Sequence, residues 1–348
     1  MPLTIQLLPA LNGDCILIQY GNEIEKKTTI LIDGGYGKAC KRQLHQLVEE
    51  YKDNKKQIDL LVVTHMDADH ITGICELLSW EQFEPAIIIK IWFNIKSEQQ
   101  GKMEELFFLQ NQSTKISMEQ GMQLDTLIKG LGILHENKIL VGHKEEIGGA
   151  VIRVLNPDVQ MWQEFYDKSI YDMEKETKLS AINDYMEPVE KLESLPFEGN
   201  VTVSNRSSIA FLLQYQMYNF LFLGDASADQ IIEELHKLGY SKENKLDILC
   251  CKVAHHASKH NTSNELLEII NCHNYLISTN VTSSGRPSKE CLSRIVIHSP
   301  KPVRFYCNYD MTKQGIFTKE EMDIYKIQFI TQEKISMEEL LNGKENTE

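Results

Sequence analysis

The stretch LLVVTHMDADHITGI, residues 60–74, runs from apolar side chains straight into Thr64, His65, Asp67, Asp69 and His70, then returns to an apolar, helix-like pattern. A short apolar run bounded in this way reads as a buried strand. Two imidazoles and two carboxylates crowded at its end are costly to bury without a partner. A metal ion is such a partner. Imidazole plus carboxylate is a ligand set for Zn²⁺, and it also suits Mn²⁺ or Fe²⁺. The cluster therefore asks for a fold whose strand ends converge on one edge, which layered α/β folds supply.

The rest of the chain fits that demand. Residues 3–9, 15–20 and 28–33 read as strands, DGGYG at 33–37 as a glycine-rich turn, and 39–53 as a helix with Leu44, Leu47 and Val48 on one face. The strand at 58–65, the helix that follows it and the apolar run at 86–95 continue the alternation, which argues α/β layers. Residues 97–137 read mostly as helix, and 149–157 as strand. Residues 158–199 are polar and acidic, a long insertion that fits a lid or binding loop as readily as a surface excursion. Strands are expected again at 207–216, 218–225, 246–256, 275–279 and 303–307, with helices at 227–239, 263–271 and 288–297. The pattern predicts one unit over residues 1–332 and a charged, flexible C-terminal tail over 333–348.

Three of these strands end in polar groups: His65-x-Asp67-x-Asp69-His70, then Gly224-Asp225, then His255-His256. One edge lined by all three has room for two ions about 3.5–4 Å apart, able to activate a water and clamp a phosphoryl oxygen. Taken singly, Asp225 fits a turn or helix cap, and the histidine pair fits a polar strand end. The 65–70 cluster has no comparable structural use.

Composition narrows the partners. A formal net charge of −14 counts against a protein that coats duplex DNA, since phosphate contacts need basic side chains. It leaves room for a nuclease, whose metal ions supply local positive charge. The 8 cysteines form no CxxC pair, which makes a zinc ribbon a poor fit and buried thiols in a reducing cytoplasm a good one. The N-terminal sequence has no basic leader pattern, and no run reaches the roughly 18 apolar residues of a membrane span. A cytoplasmic protein with no membrane partner is expected.

In order and spacing these motifs resemble the metallo-β-lactamase superfamily, whose signature is H-x-H-x-D-H after a strand, then a bridging Asp, then a late His. The variant H-x-D-x-D-H, with NRSSIAFLL, FLFLGD, VAHHAS and SSGRPS, resembles the soluble domain of the DNA-uptake channel proteins of natural competence and its free-standing relatives. The resemblance covers residues 3 to about 310, apart from 97–137 and 158–199. It implies a four-layer αββα sandwich of two mixed sheets with helices outside, and two divalent ions, Zn²⁺ or Mn²⁺. By the same resemblance His65 and Asp67 hold the first ion, Asp69, His70 and His256 hold the second, and Asp225 bridges them. His255 then faces substrate as acid or oxyanion stabiliser, with the choice of ligand between His255 and His256 left open. Asp33 orients a ligand and counts with Asp69 and His255 among the catalytic groups. Asn205 and Ser207 lie near the substrate or cap the strand.

Two departures from the family pattern matter. Asn156 stands where another histidine is expected, and an amide oxygen is a weak ligand, so the first site is expected to be loose, empty or filled only with substrate. His143 is a possible substitute, although a lone histidine before a charged run is more often on the surface. Arg286 replaces a histidine of the relatives' G-H-P. It cannot serve as a general acid at neutral pH, but it can bind a phosphate bidentately. The expected function is a metal-dependent phosphodiesterase or nuclease working through a metal-activated water on a nucleotide, a signalling dinucleotide or a nucleic-acid end. The rivals are hydrolysis of another ester, amide or lactone, and a degenerate metal-binding module that acts with partner proteins in a bacterial defence system.

Overall fold

The computed structural model describes residues 3–21, 27–95, 112–168, 184–199, 201–281 and 285–345. Within the regions read above, 97–111, 169–183, 283–284 and 346–348 lie outside the described residues.

The strands are β1 (Leu3–Leu7), β2 (Ile16–Tyr20), β3 (Thr28–Ile32), β4 (Leu60–Val63), β5 (Lys90–Phe93), β6 (Leu134–Glu136), β7 (Lys144–Ile147), β8 (Ala150–Asn156), β9 (Ala210–Tyr215), β10 (Tyr218–Phe222), β11 (Leu246–Ile248), β12 (Cys250–Lys252), β13 (Ile270–Cys272), β14 (Asn274–Ile277), β15 (Val303–Cys307), β16 (Ile327–Thr331) and β17 (Lys334–Ser336). Seven form one sheet in the order β17-β1-β2-β3-β4-β5-β6, and eight form a second in the order β16-β15-β14-β12-β10-β9-β8-β7. Each sheet is mixed. β17 to β3 pair antiparallel and β3 to β6 parallel. β16 to β10 pair parallel and β10 to β7 antiparallel.

Strand alternation builds the layers. Ile30, Ile32, Leu60 and Val62 of the first sheet pack against Ile152, Phe211, Phe220 and Leu276 of the second, filling the space between sheets. Leu31, Leu61 and Val63 face the other way, onto α1 (Lys38–Asp53), α2 (Ala68–Leu78) and α3 (Gln112–Leu131). The outer face of the second sheet is covered by α7 (Ala228–Lys237), α8 (Asn264–Ile269) and α9 (Lys289–His298). The result is the αββα sandwich expected from the sequence. Two smaller helices, α4 (Val159–Lys168) and α5 (Val189–Glu193), belong to the insertion, and α6 (Val203–Arg206) follows it. Among the described residues no helix is long and apolar enough to cross a membrane.

Three expectations change. The span 97–137 is not helical to its end, because Leu134–Glu136 leaves the helix and pairs with β5 as an edge strand. The run 246–256 is two strands, broken at Leu249, that join different sheets. Residues 333–345 are not a loose tail. Ile335 pairs with Ile5 at the edge of β1, and Met337–Glu345 forms a helix, α10. Glu333, Lys334, Glu338 and Glu339 are exposed, while Ile335 and Leu340 are fully buried. Deleting residues 333–348 is therefore expected to lower stability by roughly 4 kcal/mol or more, at about 2–4 kcal/mol per large buried side chain removed. A urea midpoint equal to that of the full chain would restore the loose-tail reading.

Candidate metal centre

Asp33, at the end of β3, organises the site. Its Oδ1 accepts from Thr64 N at 2.7 Å, and its Oδ2 accepts from Thr64 Oγ1 and from the His70 ring Nδ1, both at 2.7 Å. One carboxylate thus ties the ends of β3 and β4 to the first turn of α2. The approach is close: a Cβ on Gly73 would fall 2.0 Å from the Gly34 carbonyl oxygen, and one on Gly13 would fall 1.8 Å from that of Asp69. Glycine is required at both places for the two loops to meet α2.

Three histidines share one arrangement. His65 Nδ1 lies 3.0 Å from Thr64 Oγ1. His70 Nδ1 faces Asp33, and His256 Nδ1 lies 2.7 Å from the Ser278 carbonyl oxygen at the end of β14. An oxygen at Nδ1 holds a proton there, so that Nε2 becomes the ligating atom once the ring is neutral. All three Nε2 atoms are buried without a hydrogen-bond partner, as is Asp225 Oδ1. These atoms converge. His65 Nε2 lies 3.5 Å from Asp67 Oδ2 and 3.8 Å from Asp225 Oδ2. His70 Nε2 lies 3.5 Å from Asp225 Oδ2 and 3.9 Å from Asp69 Oδ1. His256 Nε2 lies 3.5 Å from Asp69 Oδ2 and 3.9 Å from Asp225 Oδ1. Ligand atoms of His65, His70 and Asp225 lie within 4.8 Å of one another, as do those of Asp69, His70 and His256. Buried, orphaned ligand atoms at such spacings fit divalent ions and make poor sense without them.

His255 sits on the open side. Its Nε2 is 3.5 Å from Asp225 Oδ2, and its Nδ1 is 3.1 Å from Asn261 Oδ1. The Asn205 amide nitrogen lies 3.3 Å from both ring nitrogens. His255, His256 and Ala257 have φ of 49°, 55° and 65°, a left-handed run that side chains adopt only under constraint. Arg286 joins this side: Ser288 N donates to Ala257 O at 3.0 Å, stitching its loop to the strained turn. Asn156 is buried. Its amide donates to the carbonyls of Arg206 (2.8 Å) and Ser208 (2.6 Å), leaving a buried Oδ1 without a hydrogen-bond partner. Ser207 turns away from the centre to donate to Ser204 O at 2.6 Å. His143 lies elsewhere, edge-on to Trp92 and 3.9 Å from Glu145.

Several site residues have weak sequence signals. Ser208 Oγ accepts from Asp225 N at 3.1 Å and lies 3.4 Å from His65 Nδ1. Ser204 Oγ donates to Asp67 Oδ1 at 2.6 Å. Asp14 Oδ2 pairs with Lys252 at 2.7 Å, and its Oδ1 lies 3.4 Å from His256 Nδ1. The one usable hint is Lys252 itself, a lysine inside the apolar run ILCCKVA, which demands a buried anion.

Charge and burial compete throughout. Burial alone would neutralise His70, but Asp225, Asp33 and Asp69 raise its pKa well above the ordinary value. Burial likewise opposes charge on His256, and Asp14 and Asp225 outweigh it. Burial would raise Asp225, yet the charged rings of His70 and His256 hold it well below the usual carboxylate range. His255 is pushed down to about 3, by burial first and then by Arg286 and His256. A metal entering this cluster must displace the protons that the carboxylates hold on His70 and His256. Metal uptake is therefore expected to release about one to two protons and to weaken as pH falls. Calorimetry in two buffers of different ionisation enthalpy measures this, and uptake without proton release would contradict the ligand assignment.

The family model described as the metallo-beta-lactamase superfamily matches residues 8–279. No curated protein matches the chain in sequence. Among solved structures, similarity is found to CmlA, a diiron beta-hydroxylase from Streptomyces venezuelae, at 10% identity and a TM-score of 0.42, covering 96% of this chain and 53% of that one. The chain thus spans about half of that protein's length. A diphosphatase from the PhnP family is similar at 12% identity and TM-score 0.41, with coverage of 96% and 97%. Zn(2+)-bound PqqB from Methylobacterium extorquens is similar at 7% identity and TM-score 0.40, with coverage of 97% and 99%.

Proposed function

The chain belongs to the metallo-β-lactamase superfamily, and from that premise we propose that it is a metal-dependent hydrolase of phosphodiester bonds. The observation that carries the reading is the convergence of three orphaned Nε2 atoms on the Asp225 carboxylate. Under this reading His65 and Asp67 would hold one Zn²⁺ or Mn²⁺ ion, Asp69, His70 and His256 would hold the other, and Asp225 would serve both. Bound there, the pair supplies Lewis acidity and water of lowered pKa.

The protein's own groups do the rest. Asp33, Thr64 and the Ser278 carbonyl fix the tautomers, so that each ring presents Nε2 inward. Asp69, with one oxygen toward His70 and the other toward His256, is placed to orient a water or take its proton. His255, held neutral with its Nδ1 toward Asn261 Oδ1 and steered by Asn205, would face the substrate from the open side with Nε2 as an acceptor. Arg286, whose loop is joined to the same turn through Ser288 N and Ala257 O, suits a phosphate oxygen better than a neutral carbonyl. The acidic surface favours a nucleotide, a dinucleotide or a nucleic-acid end over long duplex DNA. All eight cysteines are buried free thiols, which supports a reducing cytoplasmic setting. The Asn156 substitution makes the His65–Asp67 site the weaker of the two.

The test is turnover of bis(p-nitrophenyl) phosphate beside p-nitrophenyl acetate and a simple lactone, with Zn²⁺ or Mn²⁺ added. Preferential diester cleavage is expected. Cleavage of only the ester or lactone would move the reading to carbonyl chemistry, and no turnover of any of them would favour a binding module.

A further inference from the structure

The far end of the insertion is fastened to the loop that carries Arg286. The Asp184 carboxylate takes the N-terminus of α9, accepting from Ser288 Oγ and Lys289 N at 2.9 Å and from Glu290 N at 2.8 Å. The Tyr185 hydroxyl donates to the Pro287 carbonyl at 3.0 Å, and its own carbonyl accepts from Lys289 Nζ at 3.1 Å. That ammonium is buried and also pairs with Glu321 at 2.8 Å. On the other side, Ser288 N bonds to Ala257 O, directly after His256. Residues 287–290 are thus gripped between the insertion and the strained ligand turn. Arg286 is the next residue out, after Gly285 at φ 64°.

The geometry points to Asp184 and Tyr185 as positioning residues that hold Arg286 beside His255, where it binds an anionic phosphoryl oxygen of the substrate. This rests on the phosphodiester reading for its substrate class, and it gives the insertion a task in specificity. A merely structural clasp would behave differently. Losing a helix cap lowers stability but leaves the affinity for a small anion alone.

The experiment uses the metal-loaded full chain and two probes, inorganic phosphate in calorimetry and bis(p-nitrophenyl) phosphate in kinetics. Arg286→Gln is expected to weaken phosphate binding about tenfold or more, as for loss of a hydrogen bond between charged groups, with partial recovery in Arg286→Lys. Tyr185→Phe, which removes one hydroxyl, is expected to weaken phosphate several-fold and to raise KM more than it lowers kcat. Asp184→Asn should act in the same direction. The double variant Tyr185→Phe/Arg286→Gln should bind phosphate no worse than Arg286→Gln alone, because both changes remove one interaction. Unchanged phosphate affinity in Tyr185→Phe and Asp184→Asn, additive losses in the double variant, or no phosphate binding by the unaltered chain would each overturn the proposal. If Asp184→Asn fails to fold, Tyr185→Phe decides. Phosphate binding with this pattern but no diester turnover would remove the phosphodiester reading and leave the positioning role. Diester turnover with phosphate affinity indifferent to Tyr185 would do the reverse.

Discussion

Replacing Asp225 with alanine is expected to reduce bound metal from about two equivalents per chain to one or none, and to lower hydrolysis by roughly a thousandfold or more. The reason is its shared position. Its carboxylate lies within 4 Å of the Nε2 atoms of His65, His70, His255 and His256, a contact set that no other side chain of the cluster makes among the described residues. Several kcal/mol of transition-state charge stabilisation pass with the ions, and each 1.36 kcal/mol is tenfold in rate. The backbone at Asp225 is held independently, by Ser208 Oγ on its N–H and Asn261 Nδ2 on its carbonyl, so the variant should fold. Elemental analysis of chelator-free protein measures the loss directly. Asp225→Asn, which keeps one oxygen, should retain part of the metal. Two full equivalents in the alanine variant would refute the bridging assignment, whereas one equivalent in the unaltered protein would localise the weakness to the site beside Asn156.

The second large effect concerns stability. Lys252 and Asp14 form an ion pair in which both side chains are almost fully buried. Lys252→Met is expected to destabilise the fold by about 3–5 kcal/mol, because it strands a carboxylate in a low-dielectric interior. Asp14 sets the pH dependence. Burial alone would raise its pKa, but Lys252 and then His256 hold it at about 2 against the usual 3.8. That depression is worth about 2 kcal/mol. Its stabilisation is fully present above pH 3.8 and is lost as the pH falls toward 2. Without Lys252, burial pushes Asp14 upward and the group folds most easily when protonated. The deficit of the variant should therefore be largest near neutral pH and shrink in acid. The double variant Asp14→Asn/Lys252→Met should regain much of the loss, since His256 keeps its bond to the Ser278 carbonyl. Urea unfolding at pH 7 and pH 4.5 measures both, and an equal deficit at the two pH values would contradict the stranded-charge account.

Some of this could be read without coordinates. The alternation of apolar runs and amphipathic segments specifies layers, because strand and helix periods bury different faces. The clustering of ionisable groups at the ends of β4, β10 and β12 marks one edge: β10 and β12 are parallel neighbours whose C-terminal ends share a side of the second sheet, and β4 brings its end to the same place from the first. The C-terminal segment was misjudged because its charges dominate its composition, while only a few apolar side chains, Ile335, Met337 and Leu340, dock it. The break at Leu249 was invisible because a continuous apolar run does not state which sheet each half joins.

The sequence by itself determined the layered α/β class and which apolar runs end in histidines and carboxylates, because those depend on local period and on residues only a few positions apart. The tertiary structure decided which atom of each side chain faces the centre. Asp33 reaches His70 across 37 positions, Ser208 reaches His65 across 143, and Ser278 fixes His256 across 22. It also separated the roles of adjacent His255 and His256, one toward the open side and one fully enclosed, through a left-handed turn that no local propensity favours. The grip of Asp184 and Tyr185 on the Arg286 loop was likewise decided there. Hydrogen bonds between segments so far apart in sequence exist only once the two sheets have packed and set the distances.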